Sequence, residues 1–409
     1  MRIVIIGSGP AGITAAEALR AADRTVEISV LSAEPYPPYS PPALADYFLT
    51  GRADTLFWKG RDVCPRLEVS ERREARVVAV DPSAGQISLA DGGRLPYDRL
   101  LLASGSRLYA PIPGHDLPGV HNFKSLRAAT ALVDLVRRGE ARSALIVGAG
   151  FIGVEIALLL ADLGVAVTVA ELRERVMPTM LDQETAEIAR RAIEARGITV
   201  RLGAEARAFE GDGRAQGVSL MSGEVLTADL YIAATGIKPT IDYLTGSGIA
   251  TAWGVPVDER LRTNVPDVFA AGDVAETADR MTGQRYVHAM FPNAVEQGRI
   301  AAANLLGGAV AYEGAELMNS LRHLGVPVMA VGAMEGEEEL RWRRGEALRK
   351  IYLRDGRIAG FRLAGDISAG GVYRSLMLRR EDVRRYGRRL ADPGFGTGRV
   401  VWAAIAPAA

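Results

Sequence analysis

The chain contains a single cysteine, Cys64, in 409 residues. One thiol excludes an intramolecular disulfide and a CxxC redox pair. It also excludes a zinc ribbon or iron–sulfur cluster held by this chain alone, since each needs several thiolates. Histidine is scarce too: His115, His121, His288 and His323 are scattered without metal-ligand spacing, so no metal site is expected. No charge of one sign prevails, with 49 basic and 49 acidic residues. That removes any global argument for nucleic acid or a membrane surface as partner. Long hydrophobic runs are missing. The most apolar stretch, near Leu145–Val169, is interrupted by Glu155 and Asp162 and punctuated by glycine. It reads as strand–helix–strand, not as a membrane span. The first residues, Met1-Arg2-Ile3-Val4-Ile5-Ile6-Gly7, enter a buried-strand pattern without signal-peptide layout, which makes a cytoplasmic protein the expectation. Arginine far outnumbers lysine, which reads as codon bias before function.

What is present is an ordinary globular composition, 48% hydrophobic and 24% charged, of a length that suits two to four domains. The β-branched run Arg2–Ile6 suits a strand buried on both faces. An alanine-rich helix pattern from Gly7 to about Ala22 and a second strand at Val26–Leu31 complete a right-handed β-α-β unit. A stiff proline loop, Pro35 to Pro42, follows. The unit recurs as strand Ala144–Val147, helix Gly148 to about Leu163, and strand Val165–Ala170. Further on, Val268–Asp273 is a buried strand ending in Gly-Asp, and a helix runs from about Asn293 to Leu306. Beyond about Tyr312, short strands (Val326–Val331, Lys350–Leu353, Ile358–Leu363) alternate with Arg-rich helix patterns, an α+β module with an irregular tail after Asp392.

Both β-α-β units carry GxGxxG between strand and helix. In Gly7-Ser8-Gly9-Pro10-Ala11-Gly12, the first glycine permits the turn, the second admits a pyrophosphate, and the third lets helix and strand pack. The free amides and helix dipole then face the diphosphate. Glu34, 22 residues after Gly12, stands where a carboxylate accepts from an adenosine ribose, with its register uncertain by one because of Ala33. A plain tight turn is the alternative. In Gly148-Ala149-Gly150-Phe151-Ile152-Gly153, Glu171 follows Gly153 by 18 residues. A carboxylate there pairs with the 2′-hydroxyl of NAD and repels the 2′-phosphate of NADP; Arg173 and Arg175 soften that preference. Two fingerprints imply two dinucleotides held by two domains.

These motifs resemble those of the FAD/NAD(P)-binding pyridine-nucleotide oxidoreductases. That group includes nitrite-reductase flavin domains, rubredoxin reductases and oxygenase-coupled ferredoxin reductases. The likeness covers Met1 to Gly307 well and the C-terminal block loosely. It implies an α/β fold of two Rossmann-type domains, the NAD domain inserted in the FAD domain, plus a C-terminal α+β interface domain. The expected boundaries are 1–112 and 239–311 for FAD, 113–238 for NAD(H), and 312–409 for the interface domain. The first fingerprint then holds FAD and the second NAD(H). Ala103-Ser104-Gly105 and the stretch ending in Gly236 resemble the strands that cross between domains. Thr263 to Asp273 resembles the last FAD motif, with Gly272 allowing close approach and Asp273 accepting from a ribitol hydroxyl; a turn or N-cap aspartate is the alternative. The amides near Ala294 and Val295 are expected at the flavin pyrimidine edge, although Pro292 suits plain capping equally. The resemblance makes Phe151 an apolar lid over the flavin and places Glu155 near the nicotinamide. A core phenylalanine and a solvated acid are the alternatives.

The departures bear on the electron acceptor. Where disulfide reductases carry CxxxxC, this chain reads Tyr39-Ser40-Pro41-Pro42-Ala43-Leu44, and Cys64 comes later and reads as inert. Basic residues usual in the ferredoxin-reductase loop are replaced near Pro41 and Ala45/Asp46, with Lys59 a candidate substitute. The Tyr-Ser-Pro-x-x-Leu form resembles flavin subunits that connect NAD with iron–sulfur partners in larger dehydrogenases. The expectation is an FAD-dependent NAD(H):acceptor oxidoreductase serving an iron–sulfur protein or subunit. A free-standing NADH oxidase or diaphorase, and a non-catalytic redox-sensing or assembly module, are the alternatives. A homodimer through the C-terminal block is possible. The pairs Arg379-Arg380, Arg384-Arg385 and Arg388-Arg389 read as a solvated face or as a docking surface for an acidic partner.

Overall fold

The computed structural model describes residues 1–321 and 323–396. The chain forms two compact units. The first gathers Met1–Ala110, Asn122–Arg137 and Gly236–Glu316. The second gathers Pro111–His121, Arg138–Thr235 and the chain from Leu317 onward.

In the first unit, five parallel strands stand in the order Val268–Ala270, Arg99–Leu102, Arg2–Ile6, Glu27–Leu31, Ser70–Arg72. The central strands are buried on both faces: Ile3, Ile5, Val30, Leu100 and Leu101 are fully buried, in a core shared with helices Pro10–Ala22 and Phe291–Leu305 and with Val77, Val80, Ile87, Leu89 and Leu95 of a three-stranded antiparallel sheet. Helix Pro10–Ala22 begins with proline in its first turn, where no amide is missed. Its end is held by Arg20, whose guanidinium donates to the carbonyls of Leu67, Arg24 and Val26 at 2.9, 2.8 and 3.0 Å. Helix Phe291–Leu305 lies against it through small residues. A Cβ on Gly298 would stand 2.4 Å from the Ala11 carbonyl, so only glycine allows this approach. The strands expected to cross between domains are Ser106–Leu108 and Ile237–Pro239, and they pair antiparallel. The proline loop runs into a short helical turn at Pro41–Ala43, with the prolines in its first positions.

In the second unit, a parallel sheet has the order Thr199–Arg201, Ala166–Ala170, Ser143–Val147, Leu230–Ala233, Val120–His121. Helix Phe151–Asp162 follows its central strand. Helix Gln183–Glu194 starts at Asp182, whose carboxylate accepts from the amides of Glu184 and Thr185. The C-terminal part is a five-stranded antiparallel sheet ordered Met318–Leu321, Val328–Gly332, Arg357–Ala364, Ala347–Arg354, Glu338–Arg344. Its longest strands have eight residues, longer than the pattern suggested. Lys350 donates to Asp182 at 3.0 Å and joins this sheet to the preceding helix. The Arg-rich segment Arg384–Ala391 is a 3-10 helix broken at Gly387, with Tyr386 and Leu390 inward and the arginines outward. Arg384 pairs with Asp382 and Arg385 with Glu381. The irregular tail expected after Asp392 lies, beyond residue 396, outside the described residues.

Candidate active site

The first glycine-rich turn is built by contacts only glycine permits. Gly7 has φ +114°, and a Cβ on it would lie 2.0 Å from the Ala103 carbonyl oxygen. A Cβ on Gly12 would lie 1.9 Å from the Gly7 carbonyl oxygen. Gly9 differs: a Cβ there meets nothing within 4 Å. Gly9 is also the N-cap of helix Pro10–Ala22, which has no side-chain cap and no acid in its first turn. The helix therefore presents unsatisfied amides and its positive dipole end to open space, the donor set a pyrophosphate needs. Three residues past the second strand, Glu34 places one carboxylate oxygen, Oε2, against the Tyr39 hydroxyl at 2.6 Å. The other oxygen, Oε1, is buried without a hydrogen-bond partner, while Ala33 is exposed. A buried carboxylate oxygen without a protein partner, three residues past the strand that follows the first glycine-rich turn, is an acceptor that could take a ribose hydroxyl.

A second carboxylate stands across this unit. Asp273 Oδ2 accepts from Ser106 Oγ at 2.7 Å and from Lys124 Nζ at 3.1 Å. Gly272 before it has φ +80°, and its amide donates to Gln297 Oε1 at 2.7 Å. Ala103, Ser104 and Gly105 lie beside it in the chain: the Ala103 amide bonds Ile6, Ser104 Oγ donates to the Thr240 carbonyl at 2.8 Å, and Gly105 has φ +67°. Gly236, with φ +153°, accepts from the Tyr109 amide at 3.0 Å. Helix Phe291–Leu305 starts two residues earlier than expected, since Pro292 fits its first turn. The Ala294 amide donates to the Met290 carbonyl at 3.0 Å and so closes that turn. The amides the helix leaves for outside partners come before Ala294 and Val295, on Phe291 and Asn293.

The second turn, in the other unit, repeats the geometry. Gly148 has φ +108° and would place a Cβ 2.5 Å from the Ala234 carbonyl oxygen; a Cβ on Gly153 would lie 2.0 Å from that of Gly148. Gly150, like Gly9, meets nothing within 4 Å and caps its helix with no side-chain bond. Phe151 is half-buried and Ile152 is 45% exposed, so neither belongs to the hydrophobic core. Glu171 is buried, with Oε2 accepting from the Ala149 amide at 2.7 Å and Oε1 from the Arg173 amide at 2.9 Å. Burial pushes the Glu155 carboxyl up to about 7. A carboxyl raised in the folded state contributes its stability at low pH and loses it as pH rises from the unfolded value towards 7. Replacing it with Glu155→Gln should therefore leave stability near the wild type at pH 5 and raise it by about 1–3 kcal/mol at pH 8, read by chemical unfolding at both pH values.

Sequence reasoning missed Tyr39, Ser106, Lys124 and Gln297. Lys124 is one of four lysines in the chain, which was the available signal. Lys59, the candidate substitute for the missing loop cations, pairs with Glu17 at 2.5 Å. Cys64 is buried, and burial foremost pushes its thiol up to about 12, so it stays protonated. His288 is buried, with Nδ1 3.1 Å from the Tyr286 carbonyl and Nε2 3.5 Å from Asp279. Two cavities of about 660 and 540 Å3 are lined by residues other than those of the glycine-rich turns.

Two strand–glycine–helix turns, each opening an uncapped helix end and each followed by a carboxylate past the next strand, define a flavoprotein of the two-dinucleotide class. Residues 1–298 match the pyridine nucleotide-disulphide oxidoreductase family, and the chain belongs to it. It is an oxidoreductase that uses FAD and NAD(H), with the α/β fold expected. It is 31% identical to the epsilon subunit of the NADH-dependent phenylglyoxylate dehydrogenase of Aromatoleum evansii, over 98% of this chain and 97% of that protein. It is 31% identical to an NADH oxidase of Methanocaldococcus jannaschii, over 75% of this chain and 70% of that protein. The solved ferredoxin reductase for the CYP199A2 system of Rhodopseudomonas palustris superposes with a TM-score of 0.88 at 25% identity, covering 98% and 99% of the two chains.

Proposed function

We propose that this protein passes electrons between NAD(H) and an iron–sulfur protein or subunit through bound FAD. The observation that carries the reading is the pair of open, uncapped helix ends at Gly9 and Gly150, in a chain whose only thiol is buried and protonated. With no thiol pair to relay them, electrons leave the flavin for an external acceptor. Relatives over nearly the full length include a subunit of an NADH-dependent dehydrogenase, which favours a partner protein. In this proposal FAD is held by segments 1–112 and 239–311 together with Asn122–Arg137, which folds with the first unit, NAD(H) by the rest of 113–238, and the partner or a second copy by the C-terminal module. Among the described residues no helix is long and apolar enough to cross a membrane; a cytoplasmic location is part of the proposal.

The residues divide the work. Gly7, Gly9, Pro10, Ala11 and Gly12 admit the FAD pyrophosphate, and Glu34 accepts from the adenosine ribose. Asp273, oriented by Ser106 and charge-balanced by Lys124, accepts from the ribitol chain. Ala103, Ser104, Gly105, Gly236 and Gly272 keep the backbone close to the cofactor. The start of the helix, with its free amides on Phe291 and Asn293 just before Ala294 and Val295, supplies a positive dipole end to the flavin ring. Gly148, Gly150, Ile152 and Gly153 seat NAD(H), and Glu171 braces that seat. Phe151 excludes water from the reacting faces. When bound, FAD would supply hydride exchange with the nicotinamide and one-electron exchange with the acceptor.

In this proposal Glu155 lies near the nicotinamide, and its role there depends on its charge. Ionised, it favours the positive ring left when hydride departs. The rate of flavin bleaching by NADH should therefore rise through pH 7 in the wild type and stay flat in Glu155→Gln, measured by anaerobic stopped flow. The proposal as a whole is tested by purification from the native host without oxygen. Iron–sulfur subunits travelling with the flavoprotein support it. A lone flavoprotein with rapid NADH turnover on oxygen alone would replace it with an NADH oxidase, and a protein that binds NADH without bleaching would leave a non-catalytic module.

A further inference from the structure

Tyr39 lies in the stiff proline loop, and neither fingerprint includes it. Its hydroxyl makes two bonds at once. It donates to Glu34 Oε2 at 2.6 Å and accepts the amide of Leu126 at 3.0 Å. Leu126 is the first residue of helix Leu126–Arg137, and that amide has no partner inside its own helix. Burial, then the charge of Glu34, raises the Tyr39 phenol, so it stays protonated and remains a donor throughout the working pH range. Pro37 and Pro38 restrict the backbone just before it. One oxygen of Glu34 is thereby pinned, and the other is left as a buried acceptor with no protein partner.

We infer that Tyr39 is a positioning residue that fixes Glu34 for a ribose hydroxyl and so makes the site select an adenine dinucleotide flavin over a mononucleotide one. This rests on the assignment of Glu34 to the adenosine ribose made above. FMN has no adenosine and leaves Glu34 Oε1 unpaired; FAD supplies the missing donor. A buried acceptor left unsatisfied disfavours the ligand that cannot reach it. Removing the Tyr39 hydroxyl frees the carboxylate to turn towards solvent or the Leu126 amide, and the discrimination falls.

The test uses full-length apoprotein titrated with FAD and with FMN, followed by quenching of flavin fluorescence, for the wild type, Tyr39→Phe, Glu34→Gln and the double variant. Tyr39→Phe should weaken FAD about tenfold and leave FMN within about twofold. In the Glu34→Gln background the same change should have little further effect, because Tyr39 acts through Glu34. Equal losses for FAD and FMN would make Tyr39 a prop of the loop and overturn the inference, as would unchanged FAD binding. Wild-type protein that takes up no flavin overturns both this inference and the proposed function. FAD uptake with an indifferent Tyr39→Phe overturns this inference alone.

Discussion

Gly9→Ala should yield a folded, soluble protein that has lost its flavin, whereas Gly12→Ala should not fold normally. The two substitutions are chemically identical and three residues apart. Gly9 sits at φ −68° and ψ −175°, a conformation any L-residue adopts, and its new methyl meets no atom within 4 Å. The expected stability change is within about 0.5 kcal/mol. The free space is the approach to the uncapped helix end, and with the pyrophosphate seated there as proposed the methyl stands in its way. FAD affinity should fall by about a hundredfold. At Gly12 the methyl would stand 1.9 Å from the Gly7 carbonyl oxygen, which is backbone and cannot rotate away. Helix and strand must separate, at a cost of about 3 kcal/mol or more. Flavin content per chain and the unfolding midpoint distinguish the two. A Gly9→Ala protein that purifies fully loaded and binds FAD as tightly as the wild type would remove the first fingerprint from the site. The same contrast applies in the other unit. Gly150→Ala should keep its flavin and lose NADH, while Gly153→Ala, 2.0 Å from the Gly148 carbonyl oxygen, should be unstable.

This contrast shows what the sequence carries and what it does not. The two β-α-β units were legible because their signals are local: β-branched strands, alanine-rich helices, and glycines at fixed spacing. That Gly7 and Gly148 admit no side chain is set by the carbonyls of Ala103 and Ala234, residues 96 and 86 positions away from them, which spacing alone does not show. The register of Glu34 was ambiguous because strand pairing, not spacing, ends the strand at Leu31. The partners of Asp273 were invisible for the same reason. Ser106 and Lys124 reach it across 167 and 149 residues. The helix near Asn293 begins at Phe291 because proline tolerates an early position. Composition also misleads about the C-terminal block. Arginine reads as surface, yet Arg349 and Arg362 are almost fully buried in its sheet, Arg349 on Asp366 at 2.6 Å and Arg362 on the carbonyls of Val331 and Phe361.

Glu171→Ala should cost NADH binding without opening the site to NADPH. From spacing alone, this carboxylate is a charge selector, and its removal should admit a 2′-phosphate. Its geometry gives it an earlier duty. Both oxygens already receive backbone amides, those of Ala149 inside the second fingerprint and Arg173 beyond it. Ala149 is fully buried, so its amide has no water to turn to. Each hydrogen bond to a charged acceptor contributes about 1.5–3 kcal/mol, and losing both should destabilise the turn by about 3 kcal/mol or more. With NAD(H) seated on this turn and FAD on the other, as proposed, KM for NADH should rise at least about tenfold while flavin content stays unchanged. Glu171→Gln should fall between, because an amide oxygen replaces one acceptor but its NH2 group confronts the remaining donor. The measurement is KM for NADH and for NADPH with ferricyanide as acceptor, beside flavin content and the unfolding midpoint. A Glu171→Ala enzyme of wild-type stability that uses NADPH as well as the wild type uses NADH would show that the carboxylate acts only by repelling phosphate, and the bracing role would be wrong.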